Sequence, residues 1–193
     1  MSPLVLAPLP AVAVLVFVMI GVMPWPGLSA VFTNFLADRL PMFAGVGAPA
    51  TAMALALLPI SGIYFWSLRR PWLMPAVAVF GCGVILDVLT QGPLGVWAVS
   101  ALVAALLGRR ARRTRPDAPW PQRIAQVATA LAASAAAASV IMMLYQQDFA
   151  ALQPFILAVP LACLAYPIVA ALLSLLDRLW PVAMSRSLFL RGD

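Results

Sequence analysis

RRPWLMPAVAVFGCGVILDVLTQGPLGVWAVSALVAALLGRR, residues 69–110, is the stretch whose reading decides the fold. Two apolar runs flank the turn Gln91-Gly92-Pro93, and a pair of arginines closes each outer end. This pattern predicts a helical hairpin that enters and leaves a membrane on one side. At 1.5 Å per residue, residues 71–90 would make a helix of roughly 30 Å and residues 93–108 one of about 24 Å, which sinks the turn below the far surface. Asp87 falls in the first limb, level with Val96 or Trp97, on the order of 10 Å beneath the outer edge of the hydrocarbon. An ionisable group at that depth requires a protein partner.

Composition points the same way. The 193 residues are 64% hydrophobic and 9% charged, far outside the range of soluble domains. The net charge of +6 arises from arginine and aspartate alone, with no lysine, glutamate or histidine. In a polytopic protein such basic excess marks cytoplasmic loops, so no nucleic-acid partner is expected. Cys82 and Cys163 lie in apolar helical runs and read as small hydrophobes rather than as a disulfide or metal pair.

Taken in order, a first apolar helix is expected over residues 8–25, ended by Pro24-Trp25-Pro26-Gly27. It has no charged residue before it and reads as a retained span rather than a secretory signal. Residues 28–40 place Leu28, Val31, Phe32, Phe35, Leu36 and Leu40 on one helical face, too short to span and suited to an interfacial helix. A second span covers 48–68, with Pro59, Ser61 and Gly62 allowing a mid-membrane kink. The hairpin supplies spans three and four, 71–90 and 93–108. A cytoplasmic Arg/Pro loop follows over 109–122. The fifth span, 123–145, is alanine-dense, and Ala128, Ala132 and Ala136 lay a smooth small-residue face along it. The sixth, 152–178, carries Pro160 and Pro167, and a cytoplasmic tail occupies 181–193.

The expected fold is therefore an all-α integral membrane protein, a single polytopic bundle of about six transmembrane helices around a central hairpin of the third and fourth. Placing Arg69, Arg70, Arg109, Arg110, Arg112, Arg113 and Arg115 in the cytoplasm puts both termini there as well. These arginines read as topology determinants, with anionic lipid or a cytoplasmic partner as the alternative. For Asp87, the structural reading has the carboxylate accepting hydrogen bonds from Thr90, from the Trp97 indole or from the backbone N–H groups that open the fourth helix. The functional reading makes it a ligand or proton site. The structural one is favoured because no second buried ionisable group accompanies it. Trp72 and Trp120 on the inner side, and Trp25 on the outer, suit the interfacial belt.

The run GVILDVLTQGPLGV, residues 83–96, followed by a helix with an arginine-rich stop, resembles the hairpin of the rod shape-determining protein MreD family. Two further blocks share the resemblance: Met23-Pro24-Trp25-Pro26, and Tyr64-Phe65-Trp66-Ser67-Leu68-Arg69-Arg70-Pro71. The motif residues are Gly83, Asp87, Gly92, Pro93, Leu94, Gly95 and Trp97; the chain departs from the family pattern at Trp97, where a more polar residue is common. The resemblance implies a component of the bacterial inner membrane that maintains cell shape and lateral peptidoglycan synthesis. Its implied partners are membrane lipid, a bitopic MreC-like protein, MreB filaments, a RodA-type glycosyltransferase and a class B penicillin-binding protein.

The same hairpin is similar to that of substrate-binding components of energy-coupling-factor vitamin transporters, which resemble the family in fold. Those proteins carry an alanine docking face on their first helix; here Ala7 and Ala11 have the spacing but lie among Pro8 and Pro10. An enzyme is not expected. Without histidine or lysine there is no Ser-His or Ser-Lys arrangement and no plausible zinc site, and Asp87 and Asp177 fall near opposite membrane faces. No cofactor and no metal are implied.

Overall fold

The computed structural model describes residues 48–90, 93–115, 117–147 and 153–179, and the described chain is all-α. Its elements are α1 (Ala48–Arg69), a 3-10 turn (Pro71–Leu73), α2 (Ala76–Thr90), α3 (Val96–Thr114), α4 (Trp120–Gln146) and α5 (Gln153–Leu179). The first span, the interfacial helix, Gly92 and the C-terminal tail expected from sequence lie outside the described residues.

α1 packs against α5 and α3, α3 lies between α2 and α4, and α4 returns to α5. α2 is held chiefly by α3 and presents Val77, Phe80 and Val88 outward. The core draws its largest fully buried side chains from α1, namely Leu57, Ile60, Ile63, Tyr64 and Trp66, with Leu131 of α4 and Leu173 of α5 against them.

The apolar core admits several polar residues, while many large apolar side chains face outward. Thr51, Ser61, Ser67, Asp87, Ser100, Ser134 and Ser139 are buried, whereas Leu144, Ile156, Leu164, Ile168 and Leu175 are exposed. α4 and α5 are long and apolar enough to cross a membrane. Only 39% and 33% of their most apolar stretches are buried among the described residues, less than a core helix of a soluble protein would be. That much exposed apolar surface has a favourable solvent in lipid and not in water.

The expectation of six spans is corrected for the described residues. They hold five α-helices, and only α4 and α5 meet the length and apolarity for a crossing; the apolar part of α1, Met53–Arg69, and the whole of α2 are shorter. The third predicted span does not start at Pro71. That residue opens a 3-10 turn, and Pro75, which has no N–H to donate, delays α2 until Ala76. At 15 residues α2 is about 22 Å long, short of a bilayer's hydrocarbon.

The fourth helix is displaced at both ends. Pro93 to Gly95 are spent in the turn, and the helix then runs through the arginines to Thr114. Residues 109–114, expected in a loop, are helical because arginine is a good helix former and nothing breaks the run before Pro116. α4 likewise begins at Trp120, ahead of the expected boundary, with Pro121 in its first turn where a missing N–H costs nothing.

The small-residue face of α4 is also corrected. Ala132 and Ala136 are exposed and Ala128 is half-buried. The packed stripe is Val127, Ala130, Leu131, Ser134, Ala135 and Ala138. Alanine at most positions gives no direction of its own; the bulk of Leu131 selects the face. α1 is helical through Pro59, with the Ser61 hydroxyl donating to the Leu58 carbonyl at 2.6 Å.

Candidate functional site

The α2–α3 hairpin concentrates the motif residues. α3 starts at a position its own sequence cannot cap. Gly95, the N-cap, has no side chain, and the first turn of α3 contains no acid. The N–H groups that open a helix need acceptors from elsewhere. Asp87, near the end of α2, supplies them. Its Oδ1 accepts the Trp97 N–H at 2.8 Å, and its Oδ2 accepts the Gly95 N–H at 2.8 Å and the Ala98 N–H at 3.4 Å. These include the second and third amides of α3, which an ordinary N-cap side chain would bind, and the carboxylate meets the positive end of the α3 dipole. Asp87 is 0% exposed.

Two glycines make this possible. Gly95 has φ +103°, a left-handed conformation that turns the chain from Pro93 into α3. Gly83, one turn before Asp87, lies against the start of α3: a Cβ there would stand 2.3 Å from Ala98 Cα and 2.9 Å from the Trp97 carbonyl oxygen. Lacking that Cβ, α2 and α3 approach backbone to backbone, which brings the carboxylate within reach of the amides. Trp97 is buried while Leu94 projects outward. Of the donors expected for Asp87, the backbone amides are the ones used. The Thr90 hydroxyl donates instead to the Leu86 and Asp87 carbonyls, and Trp97 contributes its main-chain N–H.

At the opposite end the arginines divide into two groups. Arg69 and Arg70 pair with Asp177 of α5 at 3.1 and 2.9 Å, tying the C-terminal turns of α1 and α5 together. Arg109 Nη2 donates to the Met74 carbonyl at 2.7 Å, and Arg112 Nη1 to the Arg69 carbonyl at 2.6 Å. Both satisfy main-chain oxygens left open by breaks around the 3-10 turn. Arg112 also stands 5.5 Å from the Trp72 ring centroid, and Arg69 4.9 Å from that of Phe65. Arg110, Arg113 and Arg115 are exposed. Trp72 and Trp120 are 58% and 54% exposed at this same end, as suits interfacial residues.

Sequence reasoning placed Asp177 at the inner end of its helix but assigned it no partner; its signal was its place as the last acid before Arg178. Gly108 was also missed. A Cβ there would lie 2.9 Å from the Tyr64 carbonyl oxygen, so it marks the close crossing of α3 over α1. A glycine beside an arginine pair at a helix end was the available clue. Cys82 is buried and Cys163 half-buried, and neither is in a disulfide.

No protein-family model, curated protein or solved structure matches the chain.

Proposed function

We propose that the chain is a non-enzymatic, multi-pass component of a bacterial inner membrane that serves cell elongation, with both termini in the cytoplasm. In this role it docks an MreC-like bitopic protein and helps link MreB filaments to a RodA-type glycosyltransferase and a class B penicillin-binding protein. The observation that carries the reading is the use made of Asp87. Both oxygens of this buried acid are engaged by main-chain N–H groups at the start of the adjoining helix, which supports an architectural role for the hairpin motif. The likeness of residues 83–96 to the MreD hairpin supplies the biological context.

Depletion in the native host tests it. Cells should round or swell, and an MreC-like protein should co-purify with the tagged chain. Cells that keep their shape but come to depend on a vitamin supplement would replace this reading with a transporter component.

A further inference from the structure

The helices share one level at the arginine end of the bundle and differ at the other. Arg69 and Arg70 pair with Asp177, Arg112 donates to the Arg69 carbonyl and Arg109 to that of Met74. These contacts join α1, α3, α5 and the turn before α2 at a common height. Trp72 and Trp120 are exposed at the same end, as suits a membrane surface.

From that level the helices run unequal distances. Gly108 of α3 lies against Tyr64 and Ser67 of α1. Beyond this crossing α1 continues to Ala48 for about 28 Å, whereas α3 reaches its first residue, Val96, in about 18 Å. The contact of α3 with α4 gives a similar shortfall. The Ser100 hydroxyl donates to the Ser134 carbonyl at 3.0 Å, and past this pair α3 has about 6 Å left while α4 has about 18 Å to Gln146. α5 extends about 36 Å from Asp177 to Gln153, against about 22 Å for the whole of α2. Two separate contacts thus set the hairpin turn about 10 Å short of the ends of α1 and α4.

Such a turn is costly in hydrocarbon. The last carbonyls of a helix have no intrahelical donor, polar Gln91 follows them in sequence, and lipid offers no hydrogen bonds. Moving the whole bundle outward would carry the arginines of the other end into the bilayer instead. A bilayer meets a span that is too short by thinning. The hairpin has an open side on which this can happen, because α2 is held chiefly by α3 and turns Val77, Phe80 and Val88 outward.

We propose that the membrane is pinched at this hairpin: the leaflet opposite the arginines dips by about 10 Å to the turn, and α2 is bordered there by phospholipids with short acyl chains, matched to its length of about 22 Å rather than to about 30 Å. The inference needs membrane placement but neither the elongation reading nor a particular orientation, so each can fail alone.

The test places single cysteines on the full chain in nanodiscs. L94C sits at the turn on a residue 75% exposed, and V140C on a 54% exposed position of α4 at the same height as the turn. Under a flat surface the two thiols lie equally deep. A dip at the hairpin admits water to the first alone, so L94C should react with a membrane-impermeant maleimide at least tenfold faster than V140C. The parent chain, which carries Cys82 and Cys163, supplies the background. Equal rates would overturn the dip, and so would an unreactive L94C, which would mean that protein rather than water covers the turn. For the lipid, a fluorophore is placed on V88C of α2 or on V140C in an equal mixture of dimyristoleoyl and dioleoyl phosphatidylcholine. Brominating the short chains should quench the V88C probe more than brominating the long ones, and the V140C probe should show no such preference. Equal quenching by both lipids at V88C, or stronger quenching by the long chains, would overturn the match to short lipid.

Discussion

Gly83 and Ala98 meet so closely that a Cβ on Gly83 would stand 2.3 Å from the Ala98 Cα. No rotamer relieves that clash, because the obstacle is main chain. Gly83→Ala must push α2 off α3 and with it withdraw Asp87 from the α3 amides. A loss of about 1–3 kcal/mol is expected, the usual range for overpacking. Gly81 is the control: a Cβ there meets nothing within 4 Å, and Gly81→Ala should be neutral or slightly stabilising. Thermal unfolding in detergent distinguishes the two, and equal behaviour would sink the close-packing account.

Asp87 uses both oxygens as acceptors, and this ranks its substitutions. Asp87→Ala strands buried N–H groups, at about 1–3 kcal/mol for each left unsatisfied. Asp87→Asn keeps one acceptor but turns an NH2 toward an amide donor, so it recovers part of the stability and not all. Membrane levels and unfolding midpoints should fall in the order Asp, Asn, Ala. An Asn variant as stable as wild type yet inactive in shape complementation would return Asp87 to a proton or ligand role.

The arginines should separate by contact. Arg109→Gln breaks a partly buried, charge-assisted bond to the Met74 carbonyl and should cost about 1–3 kcal/mol. Arg110→Gln and Arg113→Gln, both at exposed positions, should lie within about 0.5 kcal/mol of wild type. Denaturant titrations of the three single variants check this, and uniform effects would mean that charge count, not contact, matters.

Reporter fusions test orientation. With the arginine end inward, fusions after Arg115 and at Asp193 should report the cytoplasm, and fusions after Gln91 and Gln147 the opposite side. An outward reporter at Arg115 would invert the placement.

What the sequence determined by itself was class and demand. Apolar composition, arginine clustering and the hairpin turn are local or summed properties, so they are readable without coordinates. They foretold an all-α chain, a helical hairpin with Asp87 in its first limb, though with other ends than 71–108, and an Asp87 that could not stand alone. Burial cost fixes the need for a partner wherever that partner lies.

Tertiary structure decided which groups meet. That Asp87 caps the next helix through Gly95, Trp97 and Ala98 depends on a positive φ at Gly95 and on the missing Cβ of Gly83, neither of which has meaning until two helices touch. The pairing of Asp177 with Arg69 and Arg70 joins residues more than a hundred positions apart. The packed face of α4 stayed hidden because alanines surround it, and only contact with α3 and α5 breaks that symmetry. Helix ends shifted for a related reason. Proline, glycine and arginine leave several boundaries open locally, and main-chain carbonyls finding donors such as Arg109 and Arg112 select one of them.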